Sequence, residues 1–113
     1  MQNIIVVGAS GHAKLVIDMI EKTGQYQIYG LIDSFRPVGT EILGYSVMGT
    51  EYDLPQLIMS QDIHGVIVAI GDNFVRAQMV ERIRSVCPDL PFITAIHHSA
   101  NLGKGVSIGQ GST

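Results

Sequence analysis

The sequence predicts an α/β chain in two parts: alternating strands and helices around a parallel sheet, then the first turns of a hexapeptide β-helix. Two observations carry this. Short β-branched apolar runs alternate with amphipathic stretches of about a dozen residues up to residue 96. From Ala100 to Thr113 the chain then repeats with a period of six, Leu102-Gly103-Lys104-Gly105 returning as Ile108-Gly109-Gln110-Gly111. Ala100, Val106 and Ser112 share one register, and Asn101, Ser107 and Thr113 the next. An aliphatic residue before glycine at every sixth position marks coils that bury their aliphatic residues only by stacking, so at least about three are needed for stability. The chain holds two repeats and a fragment, and is therefore expected to be the front part of a longer protein.

Asn3 to Val7 is the first strand, a β-branched run that ends at Gly8. The spacing of Ala13, Val16, Ile17 and Ile20 predicts a helix over 11–22, with Gly24 just past its end. Gln27 to Ile32 is a second strand closing at Asp33, and 34–44, with Pro37, Gly39 and Gly44, is expected to be loop. Tyr45 to Met48 is a short added strand. Thr50 with Asp53 three residues on forms an acidic capping box that opens a helix to about Met59. Ile63 to Ile70 is the third core strand, Gly71-Asp72 a turn, and 74–86 a helix with Phe74, Ala77, Val80, Ile83 and Cys87 expected inward. Phe92 to Ile96 is the last strand. Successive βαβ units of this kind make a Rossmann-like three-layer domain, residues 1–96, and 97–113 begin the β-helix.

The composition sets limits on function. Hydrophobic content is 46 % and charged content 15 % over 113 residues, which excludes a disordered chain. A net charge of −3 without basic runs argues against nucleic-acid and membrane partners. The apolar run Ile4 to Val7 is too short for a signal-peptide core or a bilayer span. The single cysteine, Cys87, excludes an internal disulfide and a multi-cysteine metal site, and is read as a packing residue. Together these features point to the cytoplasm.

The chemistry is expected at the turn Gly8-Ala9-Ser10-Gly11-His12-Ala13-Lys14, which follows a strand and opens a helix. Glycines let the backbone bend, and the N–H groups of the helix start then point at an anion. A dinucleotide fingerprint would need glycine where Ser10 and Ala13 stand or, in its variant, where Lys14 stands, so NAD is disfavoured. Lys14 in the first helical turn opposes the helix dipole by about 0.3–1 kcal/mol, a cost that vanishes if a phosphate sits in front of it. Lys14 and His12 are thus the candidate ligand contacts of the turn. Asp33, about twenty residues on, is placed to accept from ribose hydroxyls, or is an ordinary loop carboxylate. Gly71-Asp72-Asn73 ends the third core strand, facing the glycine turn across the crevice where strand order reverses. Asp72 and Asn73 are also the candidates for the N-cap of the next helix.

In this order the motifs resemble the NeuD/PglD-type sugar O- and N-acyltransferases. They are Gly-Ala-Ser-Gly-His-Ala-Lys at 8–14, Asp33, Gly44 to Gly49, Ile70 to Asn73 with Arg76, His97 and the hexapeptides. The resemblance implies a Rossmann-like acceptor-binding domain before a left-handed β-helix. It places Gly8, Ser10, Gly11, His12 and Lys14 near the pyrophosphate and sugar of a nucleotide-sugar, Asp33 near the nucleoside, and Gly71, Asp72 and Asn73 on the opposite wall. Asp33 is followed by Ser34 and Phe35, where the nucleotide-sugar branch often has paired acids; a sialic acid acceptor stays open. The family's β-helix forms a homotrimer, holds acetyl-CoA between subunits and supplies a histidine base. No residue here matches that base, His97 and His98 being too early. This chain alone is therefore expected to be inactive, as a monomer or weak dimer. A nicotinamide-dependent reductase and a non-catalytic nucleotide-sensing domain are the alternatives.

Overall fold

The computed structural model describes residues 2–93, so the hexapeptide segment, His97 and His98 lie outside the described residues. In chain order the elements are β1 (Gln2–Val7), α1 (Gly11–Thr23), β2 (Tyr26–Ile32), β3 (Glu41–Ile42), β4 (Tyr45–Ser46), α2 (Leu54–Ser60), β5 (Ile63–Val68) and α3 (Asn73–Val86). A 3-10 turn over Glu51–Asp53 leads into α2.

Strands β2, β1 and β5 form one parallel sheet in that order, with β1 in the middle. A middle parallel strand is covered on both faces, which is why β1 reads as an unbroken apolar run. Its side chains alternate between the two faces. Ile4 and Val6 pack with Ala13, Val16, Ile17 and Ile20 of α1, while Ile5 and Val7 pack with Leu54, Met79 and Ile83 of α2 and α3. Two apolar layers therefore sandwich the sheet. Beyond the edges, Val47 pairs in parallel with Leu31 and Phe92 with Val66.

This order fixes where a ligand can go. The chain leaves β1 through α1 on one face, then returns past β1 on the other face to reach β5. The connections above the C-terminal ends of β1 and β5 diverge there, opening the crevice typical of doubly wound sheets.

Three local expectations are corrected. The segment 34–44 is not all loop: β3 pairs with β4 antiparallel, Glu41 opposite Ser46 and Ile42 opposite Tyr45. Leu43 and Gly44 both have positive φ, 51° and 89°, as a two-residue hairpin turn requires. Leucine is a poor signal for that turn, which hid the hairpin. The third core strand ends at Val68, not Ile70. In α3, Phe74 is 71 % exposed and Ala77 is exposed; Met79 and Ile83 are the buried residues. The capping box stands as expected, Asp53 accepting from the Thr50 N–H at 2.8 Å. Burial raises the pKa of the Cys87 thiol, in keeping with a packing role.

The Tyr45 hydroxyl donates to Glu21 Oε2 at 2.7 Å and ties β4 to α1. That bond, then desolvation, then the Glu21 charge push the Tyr45 pKa up to about 12. A group whose folded pKa is raised contributes stability fully present below its unfolded pKa, here about 10, and lost as pH rises through about 12. Absorbance titration of the native protein should show one of its four tyrosines ionising near pH 12. Glu21→Ala should return it toward about 10.

Candidate functional site

Above the C-terminal ends of β1, β2 and β5 lies a cleft of about 330 Å³. Its floor and one wall are Gly8 and Ser10 of the glycine turn, with Asp33, Ser34 and Phe35 following β2 and Ile70 following β5. The other wall is one face of α3, Val75, Gln78, Met79 and Arg82, at the three- and four-residue spacing that aligns side chains along a helix.

The glycine turn is rigid where it meets the sheet and open where it meets the cleft. Gly8 has φ +112°, and a Cβ there would stand 3.0 Å from the Ala69 carbonyl oxygen, so only glycine fits. Its N–H donates to Ile32 O at 2.7 Å, and the buried Ala9 donates to Asp33 Oδ2 at 2.9 Å. Ser10 is the N-cap of α1, yet its hydroxyl makes no capping bond, and the first turn holds no acidic residue. The N–H groups of Ser10, Gly11 and His12 have no protein acceptor among the described residues. Three donors at the positive end of a 13-residue helix make an anion-binding arrangement. Gly11 differs from Gly8: its φ is not positive and a Cβ would meet nothing within 4 Å. The backbone does not require glycine there.

The other predicted residues divide into two groups. Asp33 lines the cleft, but its carboxylate also serves the backbone, Oδ1 accepting from Phe35 and Arg36 N–H at 2.8 and 2.9 Å. His12 is half-buried and abuts Gly71, whose added Cβ would lie 3.8 Å from the imidazole Cγ and Nδ1. The two loops therefore do face each other. Lys14 is exposed, with no ion-pair partner among the described residues, and stands outside the cleft lining. Asp72 and Asn73 also lie outside it. Asp72 Oδ1 caps α3 by accepting from Val75 N–H at 3.0 Å, and Asn73 Oδ1 accepts from Arg76 Nη2 at 2.8 Å.

Sequence reasoning missed a charged cluster on the far wall. Glu51 is buried at 3 % exposure; its Oε1 accepts from Ser34 Oγ at 2.8 Å, and its Oε2 lies 3.0 Å from Arg82 Nε. The Nε contact is an ion pair at close range whose N–H is not aligned for a hydrogen bond. In sequence Glu51 looks like any acid at a helix start and Arg82 like any solvated helix cation. Phe35, 91 % exposed at the cleft, was visible only as a loop residue. Among the described residues no cluster of His, Cys, Asp or Glu could hold a metal, and no helix is long and apolar enough to cross a membrane.

A crevice at the switch point of a parallel sheet, with a helix start beside it, defines a Rossmann-like domain. Residues 3–83 match the PglD N-terminal domain model, and the chain belongs to that family. It is 29 % identical over 118 aligned positions to the UDP-N-acetylbacillosamine N-acetyltransferase of Bacillus subtilis, which aligns 99 % of this chain with 50 % of that protein. Among solved structures it resembles a mutant perosamine N-acetyltransferase of Caulobacter crescentus, in complex with CoA and GDP-perosamine. There the TM-score is 0.71 and the identity 29 %, over 88 % of this chain and 44 % of that one. The acetyltransferase domain of PglB from Neisseria gonorrhoeae, in complex with acetyl coenzyme A, gives a TM-score of 0.57 at 26 % identity, over 80 % and 41 % of the two chains. The chain thus spans about half the length of the curated relative it matches.

The glycine turn makes a contrast that denaturation can read. Gly8→Ala, forced into positive φ, should lose about 1–3 kcal/mol of stability. Gly11→Ala should be neutral or stabilising by up to about 1 kcal/mol. Equal losses in urea melts would mean that the turn geometry is not as described.

Proposed function

We propose that this chain carries the acceptor-binding domain of an acetyl-CoA-dependent sugar acetyltransferase acting in surface glycan biosynthesis in the cytoplasm. The acceptor is a nucleotide-sugar, and the observation that carries this is the set of unengaged N–H groups of Ser10, Gly11 and His12 beside a cleft of nucleoside size. A diphosphate takes those donors, with Lys14 adding charge from the rim. Asp33, Ser34 and Phe35 bound the nucleoside, and Gly71, Asp72 and Asn73 stand on the side from which the sugar extends. A sialic acid acceptor, carrying a carboxylate in place of the diphosphate, would use the same donors.

The division of labour follows the family resemblance: 1–96 bind the acceptor, and a left-handed β-helix beginning in 97–113 makes a homotrimer and holds acetyl-CoA. In transfer, the acceptor's amine or hydroxyl attacks the thioester carbonyl, a histidine base takes its proton, and the thiolate of coenzyme A leaves. We place that base outside residues 2–93. An acetyl-transfer assay on the 113-residue chain should show no turnover, and light scattering should show a monomer or weak dimer. Turnover or a stable trimer would put the active site within this chain.

Calorimetry with UDP- and GDP-sugars tests the binding role. Lys14→Ala should weaken binding about two- to five-fold, the worth of one exposed ion pair. Gly11→Val, which sets a branched side chain beside the donors, should abolish it while the thermal melt stays cooperative. Unchanged affinity in both variants, or no binding of any nucleotide-sugar by the wild type, would remove the assignment.

A further inference from the structure

The charged cluster opposite the glycine turn has a form that selects among bases. Glu51 is buried, and its two oxygens are divided between Ser34 and Arg82. The Arg82 side chain, 40 % exposed, is therefore anchored by the inner edge of its guanidinium. Its terminal amino groups have no protein acceptor among the described residues. Arg82 lines the main cleft and also the smaller pocket formed by Ser34, Phe35, Thr50, Glu51 and Tyr52. Its head thus stands at the wall between the two. Gln78 lies one turn back on the same face of α3, and Phe35 offers an exposed ring on the same cleft.

A guanidinium only donates hydrogen bonds. Held edge-on beside a planar ring, it pairs with an exocyclic oxygen and meets an exocyclic amine donor to donor. The second arrangement leaves desolvated donors unpaired, which is how polar sites reject a near-identical ligand. Resting on the reading of the cleft as a nucleotide site, we propose that Arg82, anchored by Glu51, is a specificity residue that selects bases with a carbonyl at O4 or O6, uracil or guanine, over those with an amine there, cytosine and adenine. Phe35 covers the ring, and Gln78, whose amide can present either group, adds a bond without discriminating. Two relatives fit this chemistry: one is named for a UDP-sugar and the other was crystallised with a GDP-sugar, and O4 of uracil corresponds to O6 of guanine.

Calorimetric titration of the protein with UDP, GDP, CDP and ADP tests the proposal. UDP and GDP should bind at least about tenfold tighter than CDP and ADP, the scale of one hydrogen bond to a charged group. Arg82→Lys keeps the charge but loses the fork, and should reduce the ratio to about threefold or less. Arg82→Gln adds an acceptor and should raise affinity for CDP and ADP. Circular dichroism shows which variants fold, and the wild-type ratio is informative without either. Equal binding of all four by the wild type, a ratio that survives in the folded variants, or a uniform loss for all four in Arg82→Lys, as a phosphate contact would give, overturns the proposal. Binding without discrimination sinks only the base selection; no binding of any of the four sinks the nucleotide reading with it.

Discussion

The carboxylate of Asp33 ties the end of β1 to the end of β2, and the rest of the cleft depends on that tie. One oxygen accepts from Ala9 N–H at 2.9 Å and the other from Phe35 and Arg36 at 2.8 and 2.9 Å. Hydrogen bonds to a charged acceptor contribute about 1.5–3 kcal/mol each, so the two turns form one unit. The bond to Ala9 also settles the direction of the glycine turn. Ala9 N–H faces inward to Asp33, while the next three N–H groups have no protein acceptor among the described residues and Ser10 lines the cleft. An ionised carboxylate has about four acceptor positions, of which three are used here. A ribose contact by Asp33 is therefore compatible with its structural role.

Glu51 does for the far wall what Asp33 does for the floor. A carboxylate at 3 % exposure is costly, and a buried ion pair seldom returns more than its desolvation. Stability is thus a weak reason for the pair. Position is a stronger one: Glu51 follows the Thr50 cap, accepts from Ser34 beside the Asp33 turn, and faces Arg82 in the middle of α3. One side chain thereby sets the distance between the loop after β2 and the helix that closes the cleft.

The legible parts of this chain were those governed by period and by turn chemistry. The β1 run, the α1 spacing, the Thr50 capping box and the glycine turn each follow from local rules, and the parallel sheet follows from their alternation. The α3 face was misread because Phe74 is large and apolar while Met79 is the residue that packs; tertiary context overrode hydrophobicity. The β3–β4 hairpin escaped because leucine stands at a positive-φ position. In the site, Gly8, Ser10 and Asp33 were legible because strand ends and helix starts carry them. Arg82 and Glu51 were not, since they are 31 positions apart and become partners only through packing.

The two walls of the cleft offer different groups to a ligand, and this bears on how the fold can be used. At the glycine turn the free groups are main-chain N–H donors, which most changes of side chain leave in place. The wall at α3 and Phe35 is made of side chains: Met79 and Ile83 pack α3 onto the core, while Gln78 and Arg82 line the cleft, Arg82 also meeting Glu51. On the proposed reading, substitutions at 78 and 82 would change the base that fits while leaving the N–H groups of the glycine turn and the sheet in place. Relatives of similar distance, named for a UDP-sugar in one case and crystallised with a GDP-sugar in the other, are what such a division of the site permits. On the proposed reading, the backbone would hold the diphosphate, and a helix face that packing leaves open would meet the base.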